Sequence, residues 1–309
     1  MTKIIIVGGG IGGLCLAHGL HKYNIDCAVY DKASEFKPWG SSFALMPNGR
    51  KALEDISPAL LATATAGSIA QDAYKYGMYG HKGDVIGSPY HSKDGPKTKK
   101  LGIKPGFTMR RSLFHGALAD ALEDVPIHFK KKLVRLEATD EKVIAFFEDG
   151  DRVEGDVLIG ADGVHSMVRK TLFPDAQLNF RYPWAAGTSV LPDGWDFPVE
   201  PFERKLFYGY DGCFFFSART GVKTAEWGAV VPENRAYTVS EIAELYRDFL
   251  PEVLSMIDTT PQEELHTFET WGLDLLPAWS SRRVALLGDA AHPVSQVVGQ
   301  GASLAVEDA

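Results

Sequence analysis

Residues 3–7 form a short, almost wholly apolar run that stops at a block of glycines. Apolar positions then recur at helical spacing over 14–22, and a second apolar run follows at 28–31. A short apolar run bounded by turn residues reads as a buried strand, and a 3.6-residue recurrence as a helix. The chain therefore opens with a strand-helix-strand unit of parallel type. A further helical pattern begins at 106 and continues to 122, and 143–147 is expected to pair with 152–155 across Glu148-Asp149-Gly150-Asp151. Residues 157–160 predict another buried strand.

From about Phe180 the texture changes to aromatic-rich strands, expected over 206–216 and 226–231 and separated by polar linkers that contain glycine. Thr238-x-x-Glu241 is a capping-box pattern, and Ile242, Leu245, Tyr246 and Phe249 behind it form one apolar helical stripe that Pro251 ends or kinks. Residues 284–287 return to the apolar strand type, followed by Gly288-Asp289. No internal repeat or low-complexity linker interrupts this order. The second sheet is thus expected as an insertion into an α/β nucleotide-binding domain.

Composition narrows the function classes. With 309 residues, 45% of them hydrophobic and 23% charged, the chain has enough apolar surface for one large domain or two interleaved ones. Thirty-two Lys and Arg against 40 Asp and Glu leave a formal charge of −8, the wrong sign for binding a phosphate backbone, so no nucleic-acid partner is expected. Cys15, Cys27 and Cys213 are far apart and form neither a redox pair nor a zinc spacing, which points to a reducing compartment. The apolar N-terminal run is too short for a signal peptide, and no stretch reaches the ~18 apolar residues of a membrane span. These features predict a cytoplasmic protein without a membrane span.

The glycine block carries the first chemistry. Gly8, Gly10 and Gly13 make a Gly-x-Gly-x-x-Gly pattern between a strand and a helix. Gly8 permits the tight turn, Gly10 lets a backbone approach a pyrophosphate, and Gly13 allows the helix to pack closely on the strand. The helix N-terminus then faces anionic phosphates. Asp31 ends the second strand near the ~20-residue offset of the acid that accepts from ribose hydroxyls. A carboxylate there repels a 2′-phosphate, so the cradle suits FAD or NAD better than NADP.

Two further motifs decide between dinucleotides. A strand runs into Asp162-Gly163 with Ser166 and Arg169 downstream, and Gly288-Asp289-Ala290-Ala291-His292-Pro293 ends another, with Gly299-Gln300-Gly301-Ala302 opening a helix. Each aspartate alone has a plainer reading, as a helix cap or turn residue. In this order the three motifs resemble the FAD-dependent aromatic hydroxylase family, the group A flavoprotein monooxygenases, among them salicylate-hydroxylase-like enzymes and fungal-type epoxidases. The resemblance spans 3–309, with its sharp motifs in a small share of it.

The resemblance implies a Rossmann-like FAD-binding domain over 1–75, 107–175 and 273–309, and an inserted substrate domain on a mostly antiparallel sheet over 76–106 and 176–272. It implies that Gly8, Gly10 and Gly13 cradle the pyrophosphate and that Asp31 holds the adenosine ribose. Arg111 reaches the phosphate-ribityl region, with Arg110 an adjacent competitor, and Ser42 lies near the flavin. Asp289 bonds the ribityl chain, backbone N–H groups at Ala302 face the pyrimidine end of the ring, and Asp162 helps bind both FAD and nicotinamide. It further implies NAD(P)H as a transient co-substrate, O2 as a substrate, and hydroxylation or epoxidation of a small hydrophobic aromatic or polyene molecule through a flavin hydroperoxide.

The stretch from Phe207 to Phe216 is expected either to line a dry substrate pocket or to form core. No catalytic base is named; Tyr182, Tyr208 and Tyr210 are candidates by chemistry, and His292 reads as a local hydrogen-bonder. The chain stops at Ala309, midway through the helix after the third motif, where relatives continue. The expectation that follows is a missing segment over the flavin, which keeps an inactive FAD-binding remnant open as an alternative, beside a flavin-dependent halogenase or reductase. A disulfide reductase of the two-dinucleotide type would need the paired cysteines and second glycine cradle that are absent.

Overall fold

In a computed structural model the described residues are 2–36, 42–66, 69–70, 75–87, 102–104, 106–190, 203–220 and 223–309. The opening strand Lys3–Val7 lies at the centre of a six-stranded sheet, between Val157–Gly160 on one side and Asp26–Tyr30 on the other, both parallel to it. Val284–Leu286 extends the sheet beyond Val157–Gly160, and Ile127–His128 beyond Asp26–Tyr30. Strands this apolar on both faces need cover on both sides. Helix Ile11–Lys22 supplies one cover through Leu14 and Cys15, and the antiparallel strands Leu133–Ala138, Val143–Phe147 and Arg152–Gly155 supply the other.

Register decides what this sheet does. Val7 pairs with Gly160 and Gly160 with Leu286, so three neighbouring parallel strands end in one row. The glycine block, Asp162-Gly163 and Gly288-Asp289 each follow one of these ends. Motifs far apart in sequence therefore emerge side by side at the carboxyl edge, where open α/β sheets place their ligands.

The second sheet has seven strands, in the spatial order Leu265–Leu273, Leu178–Val190, Thr224–Val230, Phe214–Arg219, Glu203–Tyr208, Lys75–Gly80 and Val85–Gly87. All pairings but that of Glu203–Tyr208 with Lys75–Gly80 are antiparallel. One face buries Ala185, Phe207, Phe215 and Trp227 against helices Val239–Leu245 and Pro251–Asp258. The other face carries Trp184, Ala186, Leu206 and Phe214. The capping box forms as its sequence predicts, with Thr238 and Glu241 bonding reciprocally, and Pro251 opens a second helix.

Two element expectations are corrected. Residues 106–122 are not one helix: Phe107–Arg110 is a buried strand paired with Ser42–Leu45, and the helix is Arg111–Asp120. The bulky Phe107, Thr108 and Met109 side chains fill a pleated surface there. Residues 206–216 are not one strand either. The chain reverses at Asp211 and Gly212, both at positive φ (54° and 79°), so a hairpin joins Glu203–Tyr208 to Phe214–Arg219. The Asp-Gly pair is a turn signal of the strongest short-range kind. No helix among the described residues is long and apolar enough to cross a membrane.

Candidate active site

The three cradle glycines meet three different constraints. Gly8 sits at φ +109°, and a Cβ there would lie 2.2 Å from the Ala161 carbonyl oxygen. A Cβ on Gly13 would lie 2.0 Å from the Gly8 carbonyl oxygen. At Gly10 a Cβ meets nothing within 4 Å, because its backbone faces open space at the start of helix Ile11–Lys22. Two of the glycines therefore serve the fold, and the third leaves backbone exposed to whatever fills the crevice.

Two hydrogen bonds brace the loop. Gly9 N–H donates to Asp31 Oδ2 at 2.6 Å, and His115 donates from Nε2 to the Gly9 carbonyl at 2.6 Å. Burial lowers the pKa of His115, which favours the neutral ring. Asp31 also accepts from Ala33 N–H at 2.7 Å, so both its oxygens hold backbone; a carboxylate has about four acceptor positions and keeps capacity for a ribose. Asp31, Gly9, Gly10, Glu35, Arg111 and His115 line a groove of about 660 Å3.

The groove shares Gly10 and Arg111 with a second cavity of about 440 Å3. Gly10, Gly13, Arg111, Asp289 and Ala302, from separate parts of the sequence, come together on its wall. Of the two adjacent arginines, Arg111 faces this space, whereas Arg110 is 3.5 Å from Glu264. Burial lowers the pKa of Arg111 and nearby Asp289 raises it. Burial raises the pKa of Asp289, opposed by His292, Arg111 and Arg169. A carboxylate this deep is costly to ionise, and the charges of His292, Arg111 and Arg169 offset part of that cost.

Asp162 is placed differently. It lies between the lining residues Ala161 and Gly163, and its Oδ2 accepts from Met167 N–H at 2.7 Å, capping helix Met167–Leu172. This is the plainer of its two sequence readings. Its Oδ1 is buried with no hydrogen bond among the described residues. Arg169, buried on the same helix, donates to the Asp289 and Ala290 carbonyls at 3.2 and 2.9 Å and to the Val164 carbonyl, tying the second motif to the third. Ser42 pairs with Arg110 through its backbone, and its side chain falls outside the described residues.

Helix Gly301–Asp308 closes this edge. Ser303 Oγ accepts from Met46 N–H at 2.9 Å, and Asp308 accepts from Gly288 N–H at 2.8 Å and from His292 at 2.7 Å. His292 is thus a local hydrogen-bonder, its pKa raised first by that bond to Asp308. The N-terminal turn of the helix, Gly301-Ala302, faces the cavity and presents unpaired backbone N–H groups there.

Opposite the strand ends the cavity wall is aromatic: Trp184, Phe214, Phe216 and Phe268, with Leu206 and Ala186 between them. The uncertainty over 207–216 resolves by alternation, because Phe214 and Phe216 line the cavity while Phe207 and Phe215 turn to the core beneath. Tyr210 is 76% exposed and takes no part, and the Tyr182 hydroxyl bonds Ser295. Burial raises all three thiols, Cys15 to about 12 and Cys27 to about 11, so none is poised as a thiolate. Sequence reasoning missed Trp184, Phe268, His115 and, most notably, Glu226, a 1% exposed carboxylate on the aromatic side of the cavity. Its one available signal was a lone acid inside an otherwise apolar strand.

These residues fit an FAD. The Gly10 backbone is open where a pyrophosphate would approach, and the helix N-terminus at Gly301 faces the same space. Arg111 and Asp289 offer one cation and one buried acceptor, and the buried Asp162 Oδ1 awaits a donor.

Comparison with known proteins agrees. A family model described as an FAD binding domain matches residues 108–309, and one described as an NAD(P)-binding Rossmann-like domain matches 6–76. The chain is 30% identical to 3-hydroxybenzoate 6-hydroxylase 1 of Aquipseudomonas alcaligenes, over 100% of this chain and 79% of that protein. It is 29% identical to an FAD-dependent urate hydroxylase of Mycolicibacterium vanbaalenii, over 99% and 78%. Klebsiella pneumoniae HpxO, solved in complex with FAD and uric acid, superposes with a TM-score of 0.83 at 22% identity, over 99% of this chain and 77% of that one, which establishes the shared fold. The chain belongs to the FAD-dependent aromatic-hydroxylase family, the group A flavoprotein monooxygenases.

Proposed function

We propose that the chain hydroxylates a small aromatic molecule, using NAD(P)H as reductant and O2 as oxidant. The observation that carries this reading is the register row Val7, Gly160 and Leu286, which sets three FAD-type motifs on one crevice whose far wall is aromatic. Bound FAD supplies the redox chemistry: it takes electrons from the nicotinamide and activates oxygen.

The chain's own residues position and enclose. The Gly8–Gly13 loop and the N-terminus of helix Ile11–Lys22 receive the pyrophosphate, Asp31 the adenosine ribose, and Arg111 the phosphate-ribityl region. Asp289 accepts from the ribityl hydroxyls, which offset the cost of its burial, and Asp162 offers its buried oxygen nearby. Backbone N–H groups at Gly301 and Ala302 would hold the pyrimidine end of the cofactor, since the helix N-terminus there favours negative charge. Ser42 is assigned beside the ring. Trp184, Phe214, Phe216 and Phe268 bind the substrate ring and keep water from the reacting atoms.

The test is anaerobic flavin reduction of the reconstituted protein by NADH and by NADPH, with and without a panel of phenols and polyenes, followed by product analysis in air. A phenol that accelerates reduction and emerges hydroxylated is expected. Flavin that is retained but reduced at one rate with every compound, yielding only hydrogen peroxide in air, contradicts the reading.

A further inference from the structure

Tyr182 stands where the aromatic wall begins. Its ring packs against the cluster of Trp184, Ala186, Leu206 and Phe214, with its centroid 6.0 Å from that of Trp184. Phe180 pairs with Trp271 and Tyr182 with Thr270, so Arg181 is the extra residue of a β-bulge in strand Leu178–Val190. Such bulges re-aim a side chain. Thr270, 3% exposed, fills this one: its hydroxyl accepts from the Tyr182 N–H at 3.2 Å and donates to the Tyr182 carbonyl at 2.6 Å. Both backbone polar groups of the tyrosine are thereby fixed, and its hydroxyl shares a hydrogen bond with Ser295.

Ser295 belongs to the segment 293–299, between the third motif and helix Gly301–Asp308. Val294, Ser295, Gln296, Val297 and Gly299 line the cavity of about 440 Å3, while Val298 beside them is 56% exposed, so the segment is a thin wall between cavity and solvent. Within it, Val298 N–H donates to the Ser295 carbonyl at 3.0 Å and Gly299 N–H to the Gln296 carbonyl at 2.9 Å. Among the described residues, the bond to Tyr182 is the one hydrogen bond that ties this segment to another element.

We propose that Tyr182 is a positioning residue for the reaction: through Ser295 it holds segment 293–299 against the second sheet, so that the segment keeps water out of the cavity. This rests on the hydroxylase reading above. A segment with few bonds to its surroundings opens readily, and one hydrogen bond shifts that opening by its own net worth. Where water enters an oxygenation site, electrons from the nicotinamide leave as hydrogen peroxide instead of entering product.

Hydrogen exchange of the full chain, in wild type, Tyr182→Phe, Ser295→Ala and the double variant, tests the proposal. Each single variant should speed exchange of the amides at 294–299 by about twofold to tenfold, the span of one net hydrogen bond. The double variant should go no further, because both changes remove the same bond. Ser295→Thr, which keeps the hydroxyl, should exchange as wild type does. In the FAD-reconstituted chain, with a phenol that wild type hydroxylates, Tyr182→Phe should raise the peroxide formed per nicotinamide consumed by about twofold or more, with flavin absorbance unchanged. The proposal is overturned if the single variants leave exchange of the segment at the wild-type rate, if their effects add in the double variant, or if exchange across strand Leu178–Val190 rises as much. It is equally overturned if the segment loosens with no rise in peroxide. A wild type that makes only peroxide with every phenol defeats the hydroxylase reading, and the exchange result then decides the role of Tyr182 by itself.

Discussion

Where the parallel strands end, the crevice is walled by backbone: Gly8 and Gly13 touch carbonyls so closely that a single added carbon does not fit, and Gly10 stands open. Across the same space the wall is made of rings, Trp184, Phe214, Phe216 and Phe268, set on an antiparallel sheet. The backbone-walled half is fixed by main-chain geometry and suits a ligand common to many proteins. The ring-walled half is fixed by side-chain identity at alternate positions, so each substitution there changes the shape offered to substrate while the sheet persists.

Variants that break each half should fail in different ways. Gly13→Ala forces a Cβ onto the Gly8 carbonyl and should cost about 4 kcal/mol or more, leaving little folded protein that retains flavin, as read by denaturant melts and flavin absorbance. The neighbouring rings Phe215 and Phe214 give the matching contrast in the sheet. Phe215→Ala, at a 0% exposed core position, should cost about 3–5 kcal/mol, and Phe214→Ala distinctly less while weakening ligand binding. Equal losses of stability would mean that both rings are core.

Gly10→Ala separates holding FAD from folding. Its backbone is extended, at φ −73°, and nothing lies within 4 Å of an added Cβ, so the variant should melt within about 0.5 kcal/mol of wild type. Its FAD affinity should nevertheless fall by about tenfold or more, about 1.4 kcal/mol. Asp289→Asn should change the empty protein modestly and in the stabilising direction. Burial raises the Asp289 pKa, so the fold favours its protonated form. Stability from that preference is full below the ordinary carboxylate range and is lost as pH rises through the elevated value. The variant should therefore melt higher than wild type at neutral pH and no higher in acid, while binding FAD less tightly. Tighter FAD binding by Asp289→Asn would contradict the ribityl assignment.

The backbone-walled half was legible because its constraint is written in residue type. Only glycine satisfies Gly8 and Gly13, and Asp289 stands out by its fixed place after an apolar strand. Asp162 was legible as a capping residue, whereas its second, buried oxygen shows only in three dimensions. The ring-walled half was not legible to the same depth. Phe214 and Phe215 are identical residues side by side, and the hairpin register alone decides which one faces the cavity. The split of 206–216 was signalled by Asp211-Gly212, and aromatic density hid it. Glu226 needs the pairing with Thr188 and Ala218 before its face is known, so its sequence position alone says nothing about the cavity.

One crevice, assembled by the alignment of Val7, Gly160 and Leu286, is expected to hold FAD against the aromatic sheet. Titration of the flavin-free full chain with FAD, beside Gly10→Ala, tests it most directly. One FAD per chain is expected in wild type, with binding weakened by about tenfold or more in Gly10→Ala and coincident melts of the two proteins without flavin. A wild-type chain that stays colourless after reconstitution, or a Gly10→Ala variant that binds FAD as tightly as wild type, would contradict it.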